Sequence, residues 1–455
     1  MSEFHAYRTL PHVPDDITLE QFILGYRHEA RPQRPNSAPW LIEDRTGRQV
    51  RLDEINKRTT GLANGLHKHF GIGEDDVVLI FSPNHIDYPI CIWAIHRLCA
   101  IVSPCNPTFT NTELTHQLLQ TRAGLIIAHP DLRGTALASA QRAGIPPDRV
   151  VVLGNELRNA PNADLGTIAG LTSYGLGLGC ASLGRGRRLH EGEGRTKVAF
   201  ITLSSAGEPK MLALSHFSVL TNVVQIATHC KVNEAYTSWG ERRYRPGDLC
   251  LGVLPFSHIF NIAILIHFML FSGMTVVVSP NFELDDMLKS IVRHKISHLM
   301  LLPPHISLLC TDPIVRDYDL SSIHTILIGA APLTADQNEQ LIRLFPNAHI
   351  GQAYGSKNSI GIVSMWSTRS KRGFNAGELV PGVVARVVKS DGALAERNEP
   401  GELFVRTPSV IPGCLNDQAA WLRTGDQVMI NEKNEVIYVD RLQDHAREAS
   451  LSSKL

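Results

Sequence analysis

The stretch Thr202-Leu203-Ser204-Ser205-Ala206-Gly207-Glu208-Pro209-Lys210 is the best guide to the fold class of this chain. It follows an apolar run, 198–201, that is typical of a buried strand, and it precedes a helix-like segment that begins near Ser215. A small, hydroxyl-rich turn in this position can surround phosphate groups with backbone N–H donors, while Lys210 balances their charge. Taken alone, the turn also fits an ordinary polar loop, so the rest of the chain has to separate the two interpretations.

Upstream of this turn, helix and strand patterns alternate. Apolar residues recur at helical spacing in one segment, at Leu52, Ile55, Leu62, Leu66 and Phe70. Residues 77–81 form a continuous apolar run, as expected for a strand buried on both faces, and further strands are predicted at 125–128 and 150–153. This alternation predicts a parallel, doubly wound sheet.

Downstream of the turn, a second alternating stretch extends to about residue 344. After residue 375, short strands separated by Gly and Pro turns predict a smaller β region. The expected fold class is therefore α/β, with two doubly wound sheet subdomains and a small β-barrel subdomain. The predicted divisions are a first α/β subdomain (1–170), a flexible loop rich in Gly and Arg (171–196), a second α/β subdomain with the phosphate loop (197–374), the small β subdomain (375–440) and a terminal tail (441–455).

Composition narrows the function class. Among 455 residues, Lys plus Arg and Asp plus Glu both total 44, so no net field favours nucleic acid or an anionic membrane surface. The segment 259–279 is apolar for nearly the length of a membrane span, but polar residues interrupt it, which predicts a buried helix followed by a core strand. A protein that binds anionic substrates with this composition must do so through local sites.

The turn is followed by further motifs in a fixed order. Leu254-Pro255-Phe256-Ser257-His258-Ile259-Phe260 comes first, then Gly329-Ala330-Ala331-Pro332-Leu333, Gln352-Ala353-Tyr354-Gly355, Trp421-Leu422-Arg423-Thr424-Gly425-Asp426 and Asp440-Arg441-Leu442. In this order they resemble the adenylate-forming superfamily of acyl-CoA synthetases, 4-coumarate:CoA ligases and peptide-synthetase adenylation domains. The resemblance extends from about residue 18 to 445.

The resemblance implies roles for individual residues. The nucleotide would be bound by Thr202, Ser204, Ser205, Gly207, Lys210, Gln352, Tyr354, Gly355, Asp426 and Arg441. The acyl pocket would be formed by His258, Phe260, Ile262, Gly329, Ala330 and Ala331. His258, beside the carboxylate, and Lys210 would be the catalytic residues. The Tyr354 ring would stack on adenine, and the Asp426 carboxylate would accept hydrogen bonds from both ribose hydroxyls, a bidentate role that suits a carboxylate.

The implied reaction uses ATP, with CoA as co-substrate, and Mg²⁺ in a weakened site. The family's Mg²⁺-binding Glu is replaced here by Asn358, a neutral and weaker ligand. Ser204 also stands where relatives have Gly. The family's C-terminal lid, with its catalytic Lys, is expected to be missing, because the sequence ends soon after the hinge motif at Asp440.

These features predict an acid–CoA ligase that converts a carboxylic acid to acyl-AMP and then to acyl-CoA, in a peroxisomal fatty-acid or fungal-type secondary-metabolite pathway. The alternative is a catalytically impaired, lidless pseudoenzyme that binds nucleotide or acyl ligand, and a third possibility is a gene model whose authentic product is longer. Ser453-Lys454-Leu455 predicts peroxisomal delivery through the import receptor. The other expected partner is a small carboxylic acid; nucleic acid and a membrane-spanning state are not expected.

Overall fold

A computed structural model describes residues 3–154, 165–178, 186–203, 211–329, 333–355, 361–409 and 421–441, with Arg441 described by its backbone only. Its strands are β1 (Phe4–His5), β2 (Leu41–Glu43), β3 (Gln49–Val50), β4 (Val77–Phe81), β5 (Ile101–Cys105), β6 (Leu125–Ala128), β7 (Val150–Val152), β8 (Val198–Leu203), β9 (Met211–Ser215), β10 (Leu249–Gly252), β11 (Thr275–Val278), β12 (His298–Leu301), β13 (Thr325–Ile328), β14 (His349–Gly355), β15 (Ile362–Met365), β16 (Arg372–Gly373), β17 (Gly377–Leu379), β18 (Val384–Val388), β19 (Gly401–Arg406), β20 (Leu422–Ile430) and β21 (Glu435–Arg441). Its α-helices are α1 (Leu19–Leu24), α2 (Leu52–Phe70), α3 (Tyr88–Arg97), α4 (Asn111–Thr121), α5 (Arg133–Ala143), α6 (Ile168–Gly177), α7 (His216–His229), α8 (Ile259–Asn261), α9 (Met269–Phe271), α10 (Leu284–His294), α11 (Pro303–Thr311) and α12 (Ala335–Leu344), and a π-helix (Ile262–Phe268) joins α8 to α9.

The first sheet has the strand order β7-β6-β4-β5-β8-β9. Its neighbours are parallel except at the β8–β9 edge, where the chain turns back on itself. Every residue of β4 is buried, as the unbroken apolar run 77–81 predicts. α2 ends at Gly71, which takes a left-handed conformation with φ of 70° and closes the helix.

The second sheet is parallel on one side and antiparallel on the other. From β2 through β11, β10, β12, β13 and β14 its strands are parallel, and from β15 onward through β17, β21, β20, β19 and β18 they are antiparallel. The small β region is therefore joined by hydrogen bonds to the parallel sheet at the β14–β15 pair. The predicted α/β class, with two sheets and an additional β region, is confirmed.

The apolar segment 259–279 is buried in the core. It forms the helical rod α8–π–α9 followed by strand β11, as the sequence predicts. In the part of the chain that the structure describes, no helix has both the length and the apolar character needed to cross a membrane.

Residues 171–177 correct one prediction, because the sequence places them in a flexible loop. They belong to helix α6, which packs tightly on α2. A Cβ on Gly175 would overlap the carbonyl oxygen of Gly61, so the two helix backbones touch at this point. Here glycine serves close approach of two backbones rather than flexibility.

Ion pairs also hold the segment that begins at residue 186, which the sequence places in the same flexible loop. Arg187 forms ion pairs with Glu74 at 2.5 Å and with Glu193 at 2.7 Å. The predicted loop therefore includes a segment that is anchored to the first subdomain by charge.

Buried histidines make the stability of this fold sensitive to acid. Burial lowers the pKa of His216 and His298 to about 3 and that of His229 and His267 to about 4, from an ordinary value of 6.5. The folded state therefore holds these rings neutral at a pH where the unfolded chain protonates them. Their contribution to stability is fully present above pH 6.5 and is lost as the pH falls towards 4.

We expect the urea midpoint of unfolding to be nearly constant from pH 8 to 7 and to fall steadily between pH 6.5 and 4.5. The slope at pH 5.5 should correspond to an uptake of at least about two protons on unfolding. Equilibrium unfolding followed by tryptophan fluorescence across this range measures that slope. A midpoint that stays flat down to pH 4.5 would contradict the prediction.

Candidate functional site

Two of the predicted motifs meet where parallel strands β13 and β14 end. Ile328 pairs with Gln352, so Gly329, which follows β13, lies near the end of β14. The carboxyl edge of a parallel sheet is the usual position for a ligand site in an α/β fold. Ala330 and Ala331, predicted for the acyl pocket, lie outside the described residues, as do Lys357 and Asn358.

Tyr354 and Asp426 contact each other directly. The Tyr354 hydroxyl donates a 2.6 Å hydrogen bond to Asp426 Oδ2, although 72 positions separate the two residues. Asp426 is only 5% exposed, whereas Tyr354 is half-buried. The structure thus brings together the two residues that the sequence predicts for adenine and ribose.

The backbone of β20 holds Asp426 in place. Its N–H donates to Thr424 Oγ1 at 3.2 Å, and the Thr424 hydroxyl donates to the Leu403 carbonyl at 2.9 Å. Asp426 pairs in register with Arg441 across the β20–β21 ladder. The two predicted ribose residues therefore occupy neighbouring strands, and the side chain of Arg441 lies outside the described part.

The side-chain amide of Gln352 is a buried hydrogen-bond donor, and no described residue accepts from it. The side chain is 6% exposed, and its Nε2 has no hydrogen-bond partner among the described residues. Its backbone carbonyl accepts from the N–H of Trp366 at 3.0 Å, which fixes the strand. A buried amide donor left in this state is costly unless a ligand satisfies it, and a nucleotide base offers suitable acceptors.

His258 and Phe260 flank the start of α8. His258 is exposed and is the N-cap residue of the helix, where its Nδ1 accepts a 3.3 Å hydrogen bond from the Phe260 N–H. The Phe260 ring lies beside both glycines of the site: a Cβ on Gly329 would be 3.7 Å from the ring, and one on Gly355 would be 3.3 Å from it. Ile262, also predicted for the acyl pocket, is fully buried at the start of the π-helix.

The structure describes the two strands that border the predicted phosphate loop, β8 and β9. Thr202 lies on β8 and pairs with Leu212 on β9, and the next pair, Leu203 with Met211, is the last before the loop. Ser204, Ser205, Gly207 and Lys210 lie outside the described residues. Because β8 is parallel to β5, the loop starts at the carboxyl edge of the first sheet.

Asn84 is a site residue that the sequence does not reveal. It is 3% exposed, and its amide donates to the carbonyls of Gly252 and Leu254 at 3.1 and 3.0 Å. Its Oδ1 accepts from the Phe256 N–H at 2.6 Å. One side chain from the turn after β4 thus holds the segment that leads to His258.

Replacing Asn84 with alanine should lower the free energy of unfolding by about 2–3 kcal/mol, because the Leu254 carbonyl and the Phe256 N–H would lose the partners that Asn84 supplies in a buried place. The Gly252 carbonyl would still accept from the Ser279 N–H. Urea titration measures the loss. Asn233→Ala is the matched control: it removes an exposed amide that also donates to a backbone carbonyl, that of Glu29, and should cost less than about 0.5 kcal/mol. Equal losses in the two variants would contradict the role of Asn84.

Asn222 has a comparable role at the start of β15, where it holds the backbone of Ile362. Its amide accepts from the Ile362 N–H at 3.1 Å and donates to the Ile362 carbonyl at 3.0 Å. Gly361 has a φ of 85°, and a Cβ on it would collide with Asn222. Helix α7 therefore fixes the point where the chain returns from residues 356–360.

Among the described residues, no three His, Cys, Asp or Glu side chains lie close enough together to hold a metal ion. Asn358, which stands at the family's Mg²⁺-binding position, lies outside the described residues. We call Gln352, Tyr354 and Asp426 the candidate nucleotide face, and His258 and Phe260 the candidate acyl face, after the roles that the sequence predicts for them.

The chain is similar to known proteins over most of its length. The sequence profile of the AMP-binding enzyme family matches residues 28–415. An acyl-CoA ligase of Alternaria alternata is 30% identical, over 95% of this chain and 77% of its own length. A peroxisomal OPC-8:0-CoA ligase of Arabidopsis thaliana is 28% identical, over 97% of this chain and 78% of its own.

Solved structures share the fold. The luciferase-like enzyme of the mealworm Zophobas morio superposes with a TM-score of 0.79 at 22% identity, covering 97% of this chain and 99% of that one. A long-chain-fatty-acid-CoA ligase of Archaeoglobus fulgidus gives a TM-score of 0.79 at 20% identity, covering 99% and 90%.

Proposed function

The chain belongs to the AMP-binding enzyme family, and on that basis we propose that it is an ATP-dependent acid–CoA ligase. One oxygen of a carboxylic acid attacks the α-phosphorus of ATP, and pyrophosphate leaves, giving an acyl-AMP. The thiol of CoA then attacks the acyl carbon, a thioester forms and AMP leaves. The observation that carries the proposal is the Tyr354–Asp426 hydrogen bond, which places an aromatic ring beside a buried carboxylate at the carboxyl edge of the sheet.

The chain's own groups supply positioning and charge stabilisation in this reaction. Asp426 accepts hydrogen bonds from the ribose hydroxyls, and the Tyr354 ring stacks on adenine. Ser204, Ser205 and Lys210 hold the phosphates, and Lys210 offsets the charge that develops on pyrophosphate. His258 lies at the carboxylate, where its exposure leaves it accessible to substrate.

The acid is proposed to be aliphatic or aromatic. Phe260 and Ile262 offer apolar surface, which favours such a group over a highly polar one. The fungal relatives, acyl-CoA ligases from Alternaria alternata and from a member of the Dothideomycetidae, support a fungal-type pathway. The C-terminal Ser453-Lys454-Leu455 and the peroxisomal name of the Arabidopsis relative support a peroxisomal location.

Pyrophosphate release tests the activity. The full chain is incubated with ATP, Mg²⁺, CoA and a panel of short, medium and long fatty acids and cinnamic acids, and ATP binding is measured by calorimetry. We expect release that depends on at least one acid, with the matching acyl-CoA detected by mass spectrometry. ATP binding without release for any acid would favour the alternative, a nucleotide-binding pseudoenzyme, to which Asn358 in place of a Mg²⁺-binding Glu points.

The location is tested separately by microscopy of the protein tagged at its N-terminus, with and without its last three residues. Punctate signal that overlaps a peroxisomal marker only when Ser453-Lys454-Leu455 is present is the expected result. The same diffuse signal from both forms would reject a peroxisomal location.

A further inference from the structure

A seven-residue π-helix lies in the core directly after the site. It spans Ile262–Phe268 between α8 and α9, and the N–H of Met269 donates to the carbonyl of Ile264, five residues earlier. Each residue of the π-helix is buried. π-turns are rare in proteins and are frequent at functional sites.

One side chain fastens this π-helix from within. The Nδ1 of His267 lies 2.8 Å from the carbonyl oxygen of Ile262. Because a carbonyl only accepts, Nδ1 carries the hydrogen and donates, which fixes the tautomer. Its Nε2 is buried without a hydrogen-bond partner among the described residues.

The surroundings of His267 keep it a neutral donor. The ring is fully buried, and its centroid lies 6.4 Å from that of Trp93 and 6.3 Å from that of Phe200. Burial lowers its pKa to about 4, so the ring stays uncharged at neutral pH. Phe200 belongs to β8, the strand that leads into the predicted phosphate loop.

The Ile262 carbonyl, to which His267 donates, belongs to the same short segment as His258 and Phe260 of the acyl face. The Ile262 N–H donates to the His258 carbonyl at 3.1 Å, and the Asn261 side chain donates to the Pro255 carbonyl at 3.0 Å. Phe260 lies between these bonds, with its ring beside Gly329 and Gly355. A shift of Ile262 would therefore carry Phe260 with it.

We propose that His267 is a positioning residue for the acid substrate: its ring Nδ1–H, bound to the Ile262 carbonyl, holds the π-turn that sets Phe260 against Gly329 and Gly355. This inference rests on the proposed ligase function. His267 does not touch the reacting atoms. It acts through the Ile262 carbonyl on the position of Phe260, and so on the depth and shape of the acyl face. The substrate class affected is the apolar part of the acid, not the nucleotide.

The test separates the KM for the acid from the KM for ATP. His267→Leu, which fills the space but donates nothing, should raise the acid KM about tenfold and change the preferred acyl length, because one buried hydrogen bond is lost. The ATP KM should stay within about twofold and kcat within about threefold. His267→Asn, which places an amide N–H near the position of Nδ1, should restore most of the acid KM.

A matched control keeps this test specific. His229 is also a buried histidine bound to a backbone carbonyl, that of Trp366 at 3.1 Å, but it is the last residue of α7 and lines a cavity with Tyr7 and Arg8. His229→Leu should leave the acid KM within about twofold. An unchanged acid KM in His267→Leu, an equal rise in the ATP KM, or the same effect in His229→Leu would overturn the proposal.

Hydrogen exchange gives a second readout that does not need turnover. The amides of 262–269 should exchange at least about tenfold faster in His267→Leu than in the wild-type protein, and near the wild-type rate in His267→Asn and His229→Leu. If no acid supports pyrophosphate release, the ligase function fails while this result still tests the anchor. If release occurs and exchange at 262–269 is unchanged in His267→Leu, the anchor fails while the ligase function stands.

Discussion

Replacing Asp426 with alanine should raise the KM for ATP about 100-fold. The carboxylate is buried at the nucleotide face and is the proposed acceptor for both ribose hydroxyls. Hydrogen bonds to a charged group contribute about 1.5–3 kcal/mol each, and losing two with partial compensation by water amounts to about 3 kcal/mol. Asp426→Asn keeps one good acceptor and should cost about tenfold. Initial rates of pyrophosphate release at saturating acid, with ATP varied, measure both effects.

Two variants sharpen this experiment. Tyr354→Phe keeps the ring for adenine but removes the hydroxyl that donates to Asp426, and should raise the ATP KM only about threefold. Asp391→Ala removes an exposed carboxylate that accepts a hydrogen bond from a turn N–H, that of Ala393 at 2.9 Å, and should leave the ATP KM within about twofold. An ATP KM within threefold of wild type in Asp426→Ala would show that this carboxylate does not bind the ribose.

The order of the motifs predicted part of this site for a simple physical reason. Parallel strands present their carboxyl ends at one edge, so motifs that follow successive strands, such as Gly329 and Tyr354, meet there. The Tyr354–Asp426 contact could be expected only from the family resemblance. It joins residues that are 72 positions apart, and no local pattern encodes the packing of β20 against the end of β14.

The residues that hold the site in place were less accessible to sequence reasoning. Asn84 stands in a polar turn, where an amide more often satisfies its own backbone, and its partner Phe256 is 172 positions away. His267 stands in an apolar run that predicts a buried helix, and nothing in that run distinguishes a π-turn from an α-helix. Asn84 acts through three hydrogen bonds to a distant segment, and His267 acts through one bond inside an irregular helix. The periodicity of apolar residues predicts neither kind of contact.

Glycine caused the main error in the fold prediction. The sequence 171–186 is rich in glycine, and glycine permits either a flexible loop or a very close contact between backbones. The chain does carry a signal for the second use: Gly61 and Gly65 are four residues apart on α2, a spacing that opens one helix face to a neighbour. The structure places Gly175 of α6 against that face.

Gly175→Ala should therefore destabilise the protein by about 3 kcal/mol or more, although alanine is the better helix former. Its Cβ would overlap the Gly61 carbonyl oxygen and lie 2.6 Å from the Gly65 nitrogen, and neither backbone atom can turn aside as a flexible side chain could. Gly177→Ala, two residues later on the same helix, meets no atom within 4 Å and should be neutral or slightly stabilising. Urea midpoints and soluble yields of the two variants measure the difference. If Gly175→Ala is as stable as Gly177→Ala, α6 does not pack on α2 through this glycine, and the loop that the sequence predicts over 171–177 would be the better description.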